Sequence, residues 1–253
     1  PGDTTTFDSL IYLPVGQELE GVVWFGCLPD SADDFGCDID PSVIDDIGAI
    51  DPETMTPEEI AELYQQAVEA GFIGFEPFIA PSWTPPLDAL DGLDEQAALE
   101  GLSAVVNITV LPANAEDDGD IELAYKRVPV SFATTPNHNP ALAAMHVDDI
   151  EVRAGEVFTA QRGQTYEIDP ILTEASVEDY DYVSTEGDGE TRTEEPYFTW
   201  YAEGGEFDQA FSLFPYSSVD WTAPGRAFDG AVVTVVRDRR GGMAWSSVHV
   251  VVE

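Results

Sequence analysis

From Pro1 to Tyr125 the chain has no lysine, arginine or histidine, yet this stretch carries 28 of its 50 aspartates and glutamates. No side-chain ion pair can form inside such a segment. Whatever it folds into must be held by apolar burial, hydrogen bonding or a covalent link. Residues 126 to 253 hold all nine bases with 22 acids, so the halves carry −28 and −13, which sum to the net charge of −41. A surface of that sign repels nucleic-acid phosphates and anionic lipid headgroups, which excludes both as partners. It also opposes compaction unless salt or bound cations screen it. Two readings stand: a halophilic or marine surface, which the single Lys126 against eight arginines fits, and specific loading with calcium.

Hydrophobic residues make up 43% of the 253, enough for substantial cores in one large or two ordinary domains. No apolar stretch approaches the roughly 18 residues of a membrane span. The chain opens at Pro1 with neither an initiator methionine nor a signal-like segment, which reads as a mature or trimmed soluble chain.

The two cysteines, Cys27 and Cys37, stand ten apart in "CLPDSADDFGC". That spacing suits neither a zinc pair nor a redox motif. Two states remain: a disulfide closing a short loop, stabilising by roughly 2–3 kcal/mol and implying an oxidising compartment, or two reduced, buried thiols.

Along the chain, "DSLIYLPV" and "LEGVVWFGCL" read as strands. "MTPEEIAELYQQAVEAGF" is the strongest helix: Thr56 caps, Pro57 takes the first position, Glu59 completes a capping box and Gly71 stops it. Ile60, Leu63, Tyr64, Ala67 and Val68 form its apolar stripe. A proline-rich loop containing Trp83 and a short helix at "DEQAALEGL" follow, and strands return at "AVVNITVLP" and "DIELAYKRVPVS". This predicts an all-β domain over 1–133 with a helical insertion at about 40–102. A linker, "TTPNHNP", spans 134–140, and 141–253 supplies about seven strands at sandwich spacing. At the last hairpin, "DRRGGM", Gly241 and Gly242 are expected to take positive φ.

"TWYAEGGEF", "WTAPG" and "VVTVVRDRRGGMAWSSVHVVV" resemble the C, E and F-to-G strands of immunoglobulin-like domains of the cadherin and polycystic-kidney-disease type in bacterial surface proteins. "WFGCLPD", "ELAYKRVPVS" and "NHNP" are similar to phrases in secreted lipoproteins of myxobacteria and related Gram-negative predators. The resemblance implies two tandem immunoglobulin-like β-sandwiches, exported to the outer-membrane surface or beyond it. It also implies anchoring only through an N-terminal lipid, whose cysteine this chain does not carry.

Chemistry finds few footholds. Paired carboxylates abound, and no spacing singles out a hydrolytic pair. His138, His146 and His249 stand outside any nucleophile motif, and the glycine pairs lack a phosphate-loop context. Candidate calcium ligands are Asp117, Asp118 and Asp120 in one acidic turn and Asp30, Asp33 and Asp34 in the cysteine loop, without EF-hand spacing; the other reading is solvated acidic turns. Arg237, Arg239 and Arg240 form the basic cluster, pairing either with carboxylates of their own sheet or with a neighbouring copy. Trp200 and Trp221 are expected in the core, and Trp83 at a surface contact. The expectation is thus a non-enzymatic structural or adhesive protein with protein partners or self-association, and the alternative is a carbohydrate- or calcium-dependent binding module.

Overall fold

The computed structural model describes the chain except residues 12, 14–16, 34–35, 41, 44–53, 114–120, 133–136, 154–155 and 184–188, with backbone alone at 33, 96, 99, 100, 182 and 183. The chain is mainly β and divides into two compact units, Pro1–Thr134 and Thr135–Glu253.

In the first unit the strands are β1 (Thr5–Thr6), β2 (Leu19–Cys27), β3 (Ala32–Asp33), β4 (Gly36–Cys37), β5 (Phe72–Glu76), β6 (Ser82–Trp83), β7 (Leu102–Pro112) and β8 (Glu122–Val130). The helices are α1 (Pro57–Glu69) and α2 (Glu95–Glu100). An antiparallel sheet of order β5-β2-β7-β8 organises the unit. The run "VVWFG" in β2 is apolar without alternation because both of its faces are covered. Val22 and Trp24 pack with Val106 and Val110 on one side, while Val23 and Phe25 pack with Ala67 of α1 and Phe72 on the other. The Trp24 indole N–H donates to Glu76 Oε2 at 2.9 Å, so the carboxylate is met by a neutral donor in a stretch that has no lysine or arginine.

The expected facing sheet is not what covers these faces. Among the described residues, the other strands of this unit form only two-stranded ribbons, β1-β6 and β3-β4. One face lies under α1 and the side chains of Cys37 and Ile39, the other under Phe7, Ile11 and Trp83. "DSLIYLPV" differs too: its described residues are not in a strand, and Ile11 packs onto the sheet as a loop residue. The segment read as a helical insertion also contains β5, an edge strand of the sheet itself. At five residues with an internal glycine, β5 is too short to announce itself by periodicity.

Helix α1 begins as its sequence dictates. Glu59 N–H donates to Thr56 Oγ1 at 3.3 Å and Thr56 N–H donates to Glu59 Oε2 at 2.8 Å. It ends at Gly71, whose φ of 97° and whose approach to Gly26 O, 2.9 Å from where a Cβ would stand, both require glycine. The Cys27–Cys37 disulfide ties the end of β2 to β4 with 5.7 Å between Cα atoms, settling the two sequence-level alternatives.

The second unit is a β-sandwich. Its strands are β9 (Leu142–Val147), β10 (Ile150–Val152), β11 (Val157–Ala160), β12 (Thr165–Leu172), β13 (Asp179–Val183), β14 (Gly189–Thr193), β15 (Tyr197–Ala202), β16 (Glu206–Phe207), β17 (Phe211–Leu213), β18 (Val219–Thr222), β19 (Phe228–Arg237) and β20 (Met243–Val252). One sheet runs β10-β9-β12-β18-β16 and the other β11-β20-β19-β15-β17, with β11 parallel to β20. β13 and β14 form a separate hairpin. Met145, Ile168 and Trp221 of the first sheet and Phe198, Trp200, Val232 and Val250 of the second share one core. Trp200 and Trp221 are buried there.

Two tight turns explain local sequence. Asp148 and Asp149 join β9 to β10 with φ of 48° and 64°, the two positive values that a two-residue hairpin of the primed kind requires. In "DRRGGM" the positive φ falls on Arg239 (68°) and Gly241 (106°), not on Gly242. Gly242 is glycine for space: a Cβ there would collide with the Asp238 carboxylate, which accepts from the backbone N–H groups of Arg240 (2.7 Å) and Gly242 (2.9 Å).

Candidate interaction surface

In a strand, alternate side chains point to opposite faces, and residues directly opposite each other on paired strands share a face. Phe198 and Trp200 of β15 point into the core, so Tyr197, Thr199 and Tyr201 point outward. The registers then place Trp245, Val235, Thr199 and Phe211 in one row across β20, β19, β15 and β17. Met243, Arg237, Tyr197 and Leu213 make the next row, and Ser247, Val233 and Tyr201 a third. This outer face is largely apolar and aromatic. Val233 and Val235 at its centre are buried, and its exposed apolar surface is Phe211 (58%) and Leu213 (43%) on the edge strand with Tyr201 (54%) of β15 beside them.

The outer face of the other sheet has the opposite character. Its rows carry Glu206, Thr222 and Thr165; Asp220 and Glu167; and Asp169, His146 and Glu151. That is the polar, charged face of a solvated sandwich. The same chain has therefore built one wet face and one apolar face on a single core.

The arginine cluster divides by role. Arg237 donates to Thr199 Oγ1 at 2.8 Å, and both Arg237 and Arg239 stand 5.9 Å from the centre of the Tyr197 ring, at the rim of the apolar face. Arg239 is exposed and reaches Glu195 at 3.4 Å. Arg240 turns inward: it pairs with the buried Glu194 at 2.8 Å and with Glu178 at 3.4 Å, and stacks on the Tyr180 ring at 4.4 Å.

Around Arg240 the start of the second unit is bound down. Asn137 Nδ2 donates to Asp238 Oδ2 at 2.7 Å, His138 Nδ1 lies 2.7 Å from Glu178 Oε1, and Asn139 Oδ1 accepts from Met243 N–H at 3.1 Å. The Glu178 carboxyl is held below the ordinary glutamate range, chiefly by the His138 hydrogen bond and less by the charges of His138 and Arg240; desolvation opposes the shift. Residues 137–139 of the expected linker are thus integral to this unit.

In the first unit, Trp83 is half-buried. Its ring lies against Gly26, 3.1 Å from where a Cβ would stand, and joins two core clusters. Its outer side helps line a groove of about 370 Å³ with Tyr64, Val68, Phe72, Ile73 and Ile79. Of the five-residue stripe on α1, Ala67 is buried and Ile60 and Leu63 are half-buried, while Tyr64 and Val68 stay exposed along this groove.

The candidate calcium ligands are not brought together in what is described. Asp117, Asp118, Asp120 and Asp34 lie outside the described residues, as does the side chain of Asp33; Asp30 is exposed in a single turn of 3₁₀-helix. Among the described residues, no group of three or more His, Cys, Asp or Glu side chains could hold a metal ion.

No family model matches the chain, and no curated protein matches it significantly.

The sequence reading missed the outer apolar face. The signal was in "FSL": buried Ser212 sits between exposed Phe211 and Leu213, an inverted pattern. Ser212 turns inward because the Trp200 indole N–H needs an acceptor; Nε1 donates to Ser212 Oγ at 3.1 Å, and that hydroxyl donates to Ser217 O at 2.6 Å.

Proposed function

We propose that this chain is a non-enzymatic structural or adhesive protein of the cell surface, a subunit that acts through contacts with protein partners or with copies of itself. The observation that carries this reading is the apolar outer face of the β11-β20-β19-β15-β17 sheet. A solvated sandwich shows polar residues there, and exposed apolar patches on soluble domains mark interaction surfaces. Its composition, aromatic side chains rimmed by arginine, is that of contact surfaces whose energy is concentrated in a few residues.

Strand order supports an immunoglobulin-like second unit. Taking β9, β12, β18 and β16 as strands A, B, E and D, and β20, β19 and β15 as G, F and C, seven of the ten strands fall into the constant-type groups, with β10, β11 and β17 added at the sheet edges. Trp200 then occupies the core tryptophan position on strand C, although no B–F disulfide accompanies it. The disulfide at Cys27–Cys37 supports export to an oxidising compartment, the outer-membrane surface or the extracellular space.

Analytical ultracentrifugation tests the proposal. The native chain associates through this face with itself or with a surface partner, and F211D combined with Y201D weakens that association while leaving the fold intact. Unchanged association in the double variant overturns the assignment of this face.

A second reading, a binding module for carbohydrate, draws on the groove beside Trp83, where aromatic rings and a shallow cleft suit a sugar face. Calcium dependence belongs to that reading, and an unchanged melting midpoint in chelator would remove it.

A further inference from the structure

Strand β8 has no partner strand on its outer side among the described residues; it pairs with β7 alone, as the edge of the first unit's sheet. It is a nine-residue strand, "ELAYKRVPV", and most of its residues are exposed, with Leu123 at 64% and Tyr125 at 52%. Long edges with free backbone donors and acceptors are templates for another strand. The charge pattern says which strand. Residues 1–134 contain 28 acids and two bases, Lys126 and Arg127, both on β8, whose single acid is Glu122. β8 is therefore a net +1 strip on a unit of net −26.

We infer that β8 pairs antiparallel with β8 of a second copy about a two-fold axis through Ala124. In an antiparallel self-pairing a residue must face its own counterpart at the axis, because directly opposed side chains share a face. Each possible axis therefore fixes every other pair. With Ala124 at the axis, Glu122 faces Lys126 twice and Leu123 faces Tyr125 twice: two opposite-charge pairs on one face of the sheet and two apolar pairs on the other. An axis at Lys126 sets lysine against lysine, and an axis at Glu122 sets glutamate against glutamate, both unfavourable. The resulting sheet is continuous over eight strands, β5-β2-β7-β8 and its symmetry mate. Repulsion between two chains of −41 each opposes the approach. At about 1 M salt the screening length falls to about 3 Å, so long-range repulsion fades while contacts within the ladder survive.

This inference rests on the reading of the chain as an associating subunit. The test is sedimentation equilibrium of the full chain in 0.15 to about 2 M NaCl, comparing wild type with E122K, K126E and the exchanged pair E122K/K126E. The expected result is dimerisation strengthened by salt, weakened about tenfold or more in each single variant, and restored in the exchanged pair. As an independent check, A124C, whose introduced thiol is the only one free beside the native disulfide, cross-links to a covalent dimer under mild oxidation. The same substitution at exposed Leu87 does not. If the chain associates but neither single variant weakens it and A124C stays uncross-linked, the β8 axis is overturned while the assembly reading stands. A chain that is monomeric under every salt condition overturns the β8 pairing and, with it, self-association as the form the assembly takes.

Discussion

Arg240 Nη1 lies 2.8 Å from Oε1 of Glu194, a carboxylate side chain only 1% exposed to solvent. The guanidinium also rests on Tyr180 and reaches Glu178, so one side chain neutralises a buried charge and joins the last hairpin to the β13–β14 ribbon.

Removing the cation strands that charge. Arg240→Ala is expected to destabilise the second unit by about 3–5 kcal/mol, whereas replacing Arg240 and Glu194 together with apolar residues of similar volume costs much less. Urea denaturation of the single and double variants checks the non-additivity.

Ser212→Ala leaves the Trp200 indole N–H and the Ser217 carbonyl without the partners they have at 3.1 and 2.6 Å. The expected loss is about 1–3 kcal/mol in the second unit, with the secondary structure unchanged. Near-ultraviolet circular dichroism and denaturation midpoints report both.

The His138–Glu178 contact makes stability depend on pH in a definite direction. Because the Glu178 carboxyl titrates below the ordinary glutamate range, its contribution is fully present above that range and is lost as pH falls through its depressed value. Glu178→Gln is expected to flatten this acid limb and leave the neutral-to-alkaline limb in place. Thermal melts of both proteins from neutral to acid pH measure it.

Much of this architecture is legible in the residues themselves. The capping box around Thr56 and Glu59 is local, and local signals survive translation into structure; so do the spacing of the two cysteines and the alternation in "YFTWYA". What stays hidden depends on distant partners. Arg240 and Glu194 are 46 residues apart, so nothing in "DRRGG" tells which arginine turns inward. The first unit misleads for another reason: "VVWFG" has no alternation because a helix covers one of its faces, and a strand apolar on both sides fits a sandwich and a helix-covered sheet alike. The outer face of the second sheet goes unseen because an apolar residue in a strand is assigned to the core by default, and only Ser212 reveals the inversion.

The disulfide is the covalent support of a unit in which ion pairs are nearly impossible. Cys37→Ser is expected to destabilise the first unit by roughly 2–3 kcal/mol and to leave the second unit's transition unchanged. Differential scanning calorimetry of wild type and variant, with and without reductant, separates the two transitions.

The central claim is that the outer face of β11-β20-β19-β15-β17 is a contact surface. Hydroxyl-radical footprinting as a function of protein concentration, at high salt, interrogates it directly. Labelling of Tyr201 and Phe211 is expected to fall severalfold as the chain associates, while Phe78, exposed in the first unit, keeps its reactivity. Association with Tyr201 and Phe211 labelled as strongly as in the dilute chain would contradict the account.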